Sequence, residues 1–355
     1  MFEFNAGGRR PVTGKLRADT LRAANDLVQR TLAKHGLASP VGVAEPYAGA
    51  GKAGTQKNTS ARPARPAGRV AQAMRSETFQ NSAGTRDFRI YVPQKAQQEA
   101  RGLVMMLHGC TQTPEDFAIG TQMNALAGAQ GFITVWPEQN RGHNAQSCWN
   151  WFSPQDQQRD RGEPAILAGM AERCAAEYRV PSSKIFVAGL SAGAAMAVIL
   201  GETYADVFSA VGAHSGLAYA SAQDVPSALA AMAGTAAPGA AASGAALTRT
   251  VVFHGSDDRT VQPANGTRIV EDARGRWQDL AFETETSEVI NGRRTDRYSV
   301  TDAEGRSLVE HWRIDGLGHA WSGGNSGGSH ADQAGPDASA EMVRFFFDTD
   351  KETGA

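Results

Sequence analysis

Ser191 stands in the pentapeptide Gly189-Leu190-Ser191-Ala192-Gly193, with apolar residues before it and small ones after. Ile185-Phe186-Val187-Ala188 reads as a short buried strand, and Ala194 to Leu200 as a helix rich in Ala and Met. A serine at the corner between them takes a strained backbone conformation. Side chains two residues away on either side would clash there, so glycine occupies both places. Such a turn pushes the hydroxyl into the open beside a helix N-terminus, where negative charge is stabilised. The chemistry this fits is nucleophilic attack. The plainer alternative is a glycine-rich strand–helix turn with a solvated serine, and the pentapeptide alone does not separate the two.

Three other stretches could supply its partners. Leu107-His108-Gly109-Cys110-Thr111 follows a core strand and precedes a helix. Acyl transfer needs two backbone N–H groups on the oxyanion, one from the residue after the nucleophile and one from the first strand–helix loop. Ala192 and Cys110 are the candidates. The run from Val251 to Gly266 ends a strand in His254-Gly255 and then presents two adjacent carboxylates, Asp257 and Asp258. Either could orient a histidine. The candidate is His319, in the glycine-rich loop Asp315 to Gly324; alone it would read as a surface or packed histidine. The chain order is serine, aspartate, histidine.

The elements that must position these residues alternate. DFRIYVP, GLVMMLHG, FITVWPE, KIFVAGLS, AVGAHSG, TVVFHGSDD and VEHWRIDG read as strands, with helical segments between most of them. Continuous apolar strands alternating with helices predict a mostly parallel sheet covered on both faces, with sites at the carboxyl ends of strands. Each stretch singled out above lies at such an end. Upstream, Leu16 to Leu37 carries an apolar stripe of helical period, predicting an amphipathic helix within residues 1–37. Residues 38–73 are rich in Ala, Gly, Pro, Ser and Thr and predict a flexible linker before a catalytic domain over 74–350. Ala228 to Leu247 predicts a helix followed by a flexible surface loop.

Composition excludes several classes. The net charge is -2, from 35 Lys and Arg against 37 Asp and Glu, which gives no footprint for nucleic acid. No apolar stretch is long enough for membrane insertion. The eight histidines and three cysteines form no metal-ligand spacing, and no phosphate-cradling glycine pattern is present. No metal and no cofactor is expected. His108, His214 and His254, which end or follow strands, read as loop-fixing hydrogen-bonders. No secretory signal is visible at the N-terminus, so the expectation is a cytoplasmic protein, or a secreted one if a leader has been trimmed.

LHGCTQTPEDFA, SCWNWFSPQDQQRDRGEP, VAGLSAGAAMA, VFHGSDDRTVQPANG and GLGHAWSGG, in this order between about Arg86 and Phe347, resemble the poly(3-hydroxybutyrate) depolymerase family of esterases, kin to feruloyl and acetylxylan esterases. The resemblance implies an α/β-hydrolase fold and a Ser191–His319–Asp258 triad. The family pattern His-Gly-x-x-Asp-x-x-Val selects Asp258, closed by Val261, and leaves Asp257 on a variable position. It implies cleavage of short-chain carboxylic esters, of the polyhydroxybutyrate oligo- or polyester type. A feruloyl or acetylxylan carbohydrate esterase is the alternative, and a polymer-granule binding protein with little catalysis the second. No polymer-binding module is recognisable after Phe347, so small or amorphous esters are expected over crystalline polymer. Homo-oligomer formation or granule association through the N-terminal helix is a further expectation.

Trp149 and Trp151 lie in an aromatic loop beyond the strand ending at Pro137, and Trp321 lies two residues after His319. They are the candidate walls of an acyl pocket, with one indole expected to pack and another to face substrate. Cys110 and Cys148 flank the same site. They form a bridge tethering the two loops in an oxidising compartment, or stay two free thiols in a reducing one.

Overall fold

The computed structural model describes residues 74–235, 247–277 and 282–348. The helix expected within residues 1–37 and the linker at 38–73 lie outside this set, as does the loop part of the Ala228–Leu247 run at residues 236–246.

Ten strands form one sheet. In chain order they are β1 (Arg75–Asn81), β2 (Gly84–Tyr91), β3 (Leu103–Leu107), β4 (Ile133–Pro137), β5 (Ile185–Leu190), β6 (Ala210–His214), β7 (Arg249–Gly255), β8 (Phe282–Ile290), β9 (Arg293–Thr301) and β10 (Ser307–Ile314). Their spatial order is β1-β2-β4-β3-β5-β6-β7-β10-β9-β8. The six central strands from β4 to β10 pair in parallel. Antiparallel strands flank them, β2 and β1 on one side, β9 and β8 on the other. A short parallel pair, β11 (Trp321–Ser322) and β12 (Ala331–Asp332), follows.

The strands β3 to β7 are buried along their whole length because both faces are covered. Alternate residues serve opposite faces, as a period of two requires. Met105, Leu107 and Val187 pack in one cluster with α3 (Gly162–Glu177) and α4 (Ala192–Thr203). Val104, Met106, Phe186 and Ala188 pack in the other with α1 (Pro114–Thr121), α2 (Met123–Gln130) and α7 (Ala338–Phe347). Two further helices, α5 (Val225–Met232) and α6 (Ala264–Arg274), join the first face. The polar cap on α1 is Thr113, whose side chain accepts from the Asp116 amide, with Pro114 at the first helical position. This is the α/β-hydrolase architecture, and the loops after β3, β5, β7 and β10 gather at one edge of the parallel sheet.

Candidate active site

Ser191 joins β5 to α4 with φ +57° and ψ -120°, a conformation that non-glycine residues rarely adopt. Its amide donates to the His214 carbonyl at 2.9 Å, and the residue is partly exposed. A Cβ on Gly189 would run into the Gly193 backbone, and one on Gly193 into the Leu107 carbonyl oxygen. Both glycines are therefore required by the closeness of the β3 end to the start of α4.

Asp258 is buried and Asp257 is exposed. One Asp258 oxygen accepts the amides of Thr260 and Val261, both at 2.9 Å. The other accepts His319 Nδ1–H at 2.7 Å, with His254 Nε2 at 3.5 Å. Burial alone would raise this carboxyl. The hydrogen bonds from His254 and His319 outweigh it and hold the group below the usual carboxylate range. With Asp258 ionised, the proton of a neutral His319 sits on Nδ1, which leaves Nε2 as its basic atom. The loops that carry the two residues are pinned together by Ser256 N–H to the Ile314 carbonyl and Asp257 N–H to the Leu317 carbonyl.

The loop after β3 passes beside the serine. A Cβ added to Gly109 would lie 3.7 Å from Ser191 Cβ. The Gly109 amide donates to Gln112 Oε1 at 2.9 Å and the Thr111 amide to the Gln146 carbonyl at 2.9 Å. The Cys110 amide, between two that are engaged, is the one this loop can offer a ligand. Ala192 N–H, at the first position of α4, is likewise without a partner inside the helix. Cys110 is disulfide-bonded to Cys148. Cys148 belongs to a braced segment: its carbonyl accepts from Gln139 Nε2, and Gln139 N–H donates to His108 Nε2 at 3.0 Å. Glu163, at the start of α3 and buried, accepts from Asn150 N, Asn150 Nδ2, Gln139 Nε2 and Arg86 Nη2.

The expected packed indole is found, but the substrate-facing one is not. Trp149 is fully buried, and its indole N–H donates to the His108 carbonyl at 3.1 Å. Trp321 is 1% exposed, packs edge-on against Phe117 and over His214, and donates to Ser339 Oγ. Trp151 is 6% exposed and packs edge-on against Phe152. None of the three is an open pocket wall; each fills the core beneath the loops. Phe152 is the partly exposed ring of the aromatic loop.

Residue types alone did not single out Glu163 or the side chain of Gln139 as loop braces. The only signal was position: Glu163 begins α3 at the end of the stretch SCWNWFSPQDQQRDRGEP. Among the described residues, no three His, Cys, Asp or Glu side chains converge as a metal site, and no helix is long and apolar enough to cross a membrane.

Residues 86–240 match the family model described as esterase PHB depolymerase. Poly(3-hydroxyalkanoate) depolymerase C of Paucimonas lemoignei is 32% identical over 232 residues, covering 61% of this chain and 54% of that protein. Feruloyl esterase B of Neurospora crassa is 30% identical over 131 residues, covering 37% of this chain and 44% of that protein. The chain spans about half the length of these curated relatives. Among solved structures, the acetyl xylan esterase from Aspergillus awamori aligns with a TM-score of 0.59 at 20% identity, over 77% of this chain and 98% of that one, a likeness of fold.

Proposed function

From this likeness to the PHB depolymerase family of esterases, we propose that the chain is a serine esterase that cleaves short-chain carboxylic esters through Ser191, His319 and Asp258. The observation that carries the proposal is the 2.7 Å bond from His319 Nδ1 to a buried Asp258, in a chain whose strained Ser191 follows β5, a parallel strand of the same sheet. Ser191 Oγ attacks the ester carbonyl carbon while His319 Nε2 takes its proton. The oxyanion is held by the amides of Ala192 and Cys110, each contributing about 3 kcal/mol of transition-state stabilisation. Collapse breaks the ester C–O bond, and the departing alkoxide takes the proton from His319. Water, deprotonated by His319, then attacks the acyl-serine and restores the enzyme.

The substrate class we propose is the 3-hydroxyalkanoate oligoester, each unit of which is a short acyl group. Support comes from the extent of the matches: 232 residues with the polyhydroxyalkanoate depolymerase against 131 with the feruloyl esterase. Ser191→Ala is expected to lose at least ~10³-fold in kcat on p-nitrophenyl butyrate, with thermal unfolding nearly unchanged. Near-normal turnover by this variant would remove the triad. A higher kcat/KM on feruloyl or acetylxylan esters than on 3-hydroxybutyrate oligomers would transfer the substrate assignment to the carbohydrate esterases.

A further inference from the structure

His214 ends β6 beside the nucleophile strand, in register with Leu190. It touches both halves of the proposed catalytic apparatus. Its carbonyl accepts the Ser191 amide at 2.9 Å. Its ring Nε2 accepts the Ser322 amide at 3.1 Å, three residues beyond His319. Ring Nδ1 meets Ser215 Oγ at 3.1 Å. The ring is fully buried, stacked between Phe253 and Trp321 at centroid distances of 5.9 and 5.1 Å.

These contacts fix the state of the imidazole. A backbone N–H can only donate, so the nitrogen facing Ser322 has no proton. The proton sits on Nδ1 and is donated to the Ser215 hydroxyl. Burial, with the neighbouring imidazoles of His254 and His319 adding to it, holds the His214 pKa down at about 3. The neutral tautomer therefore persists wherever the fold does.

We propose that His214 is a positioning residue that sets the separation of Ser191 and His319, binding the nucleophile through its main chain and the loop of the general base through its ring. The inference rests on the esterase reading of the site. A loop carrying a general base must be held to a fraction of an ångström. A displacement of about 1 Å at a distance from the chemistry can cost ~10²-fold in rate. Trp321, expected from sequence to wall the substrate, instead forms the outer plate of this clamp.

The test compares His214→Phe, His214→Gln and Ser215→Ala with wild type and with Ser191→Ala. Phenylalanine keeps a ring between Phe253 and Trp321 but has no acceptor for Ser322. Glutamine restores an acceptor. Ser215→Ala removes the partner of Nδ1–H and frees the ring to place a proton against the Ser322 amide. The expectation is a roughly 10- to 100-fold fall in kcat for His214→Phe, with KM within about twofold. His214→Gln should recover most of it, and Ser215→Ala should lose several-fold while folding normally. Amide exchange at Ser322, followed without substrate, should quicken in His214→Phe and in Ser215→Ala but not in Ser191→Ala. Equal kcat for the phenylalanine and wild-type proteins, or equal losses for phenylalanine and glutamine, would overturn the clamp. If His214→Phe does not fold, Ser215→Ala decides, and unchanged kcat with unchanged exchange at Ser322 overturns it. Failure of the esterase reading is distinct: Ser191→Ala would then retain turnover, whatever Ser322 exchange reports.

Discussion

Two adjacent carboxylates show how one residue's place in a loop decides its chemistry. Asp258 is 1% exposed and takes two backbone amides on one oxygen and His319 on the other, while Asp257 points to solvent. Asp258→Asn keeps the shape, but its amide can offer a donor to His319 Nδ1 and so favour the wrong tautomer. The expected loss is about 10³- to 10⁴-fold in kcat on p-nitrophenyl butyrate. Asp257→Asn should stay within a fewfold of wild type. Reversed effects would mean that the loop register is wrong by one residue. The neighbouring His254 adds a constraint of its own: its Nε2–H donates to the Val261 carbonyl at 2.9 Å, which closes the loop around the Asp258 carboxylate. That role was legible as a histidine ending a strand. Its 3.5 Å approach to Asp258 was not, because it depends on how the loop folds back.

At the scale of elements, the parts read best from sequence were those whose two faces are both buried. The strands β3 to β6 are almost wholly apolar and β7 has an apolar centre, and the parallel sheet follows from that pattern. β10 carries Glu310, His311 and Arg313 and was marked by its apolar Leu308, Val309, Trp312 and Ile314. The hairpin of β8 and β9 escaped such a reading. Every residue of β8 but Ile290 is exposed, so charged and polar side chains stand along it and no apolar run marks it. β1, an edge strand with one buried residue, escaped for the same reason. The aromatic loop misled in the opposite sense: indoles near a site suggest a pocket wall, yet Trp149 and Trp321 each have an N–H acceptor inside the protein and fill its core. What the sequence left open about Cys110 and Cys148 the structure resolves as a bridge closing a sequence separation of 38. A loop of that length corresponds to about 4 kcal/mol of stabilisation. Replacing both cysteines by serine is expected to lower unfolding free energy by about 2–4 kcal/mol in urea titrations. Because one end of the bridge adjoins the proposed oxyanion donor, kcat should fall more than KM rises. Full stability and full turnover in the double variant would show that Glu163, Gln139 and Trp149 brace the loop without the bridge.

The molecule as a whole encloses more neutral imidazole than its near-zero net charge suggests. Burial, the largest influence on each, holds His108 down at about 4 and His214 and His311 down at about 3. In the unfolded chain a histidine titrates near ~6.5. Between those values the unfolded state binds protons that the folded state refuses, so stability is lost as pH falls below ~6.5. Each histidine contributes about 1.4 kcal/mol per pH unit until its own folded value is reached. Glu163 works the other way. Burial, with Asp156 adding to it, raises its carboxyl to about 7 against the pull of Arg86 and Asn150. Its stabilisation is present below the unfolded value of ~4.3 and lost as pH rises through about 7. Asp258, whose carboxyl is depressed, loses its contribution only in stronger acid, below ~4. For these four groups alone, three histidines against one carboxyl leave a difference of about two protons, or roughly 3 kcal/mol per pH unit from ~6.5 to ~4.5. His143 and His330, lowered by burial, act in the same direction, while Glu202 and Asp337, raised by burial, oppose it. A stability of about 5–15 kcal/mol is therefore largely consumed within a few pH units below neutrality. The urea midpoint of the wild-type protein is expected to fall steadily between pH 7 and pH 4.5. His311 is the residue with which to test the cause, since it lies in β10 away from the serine and its buried Nε2 has no partner. His311→Gln should flatten that slope by about 1.4 kcal/mol per pH unit while leaving esterase activity at neutral pH in place. An unchanged slope in this variant, or a wild-type midpoint that rises on acidification, would show that other groups govern the acid limit of the fold.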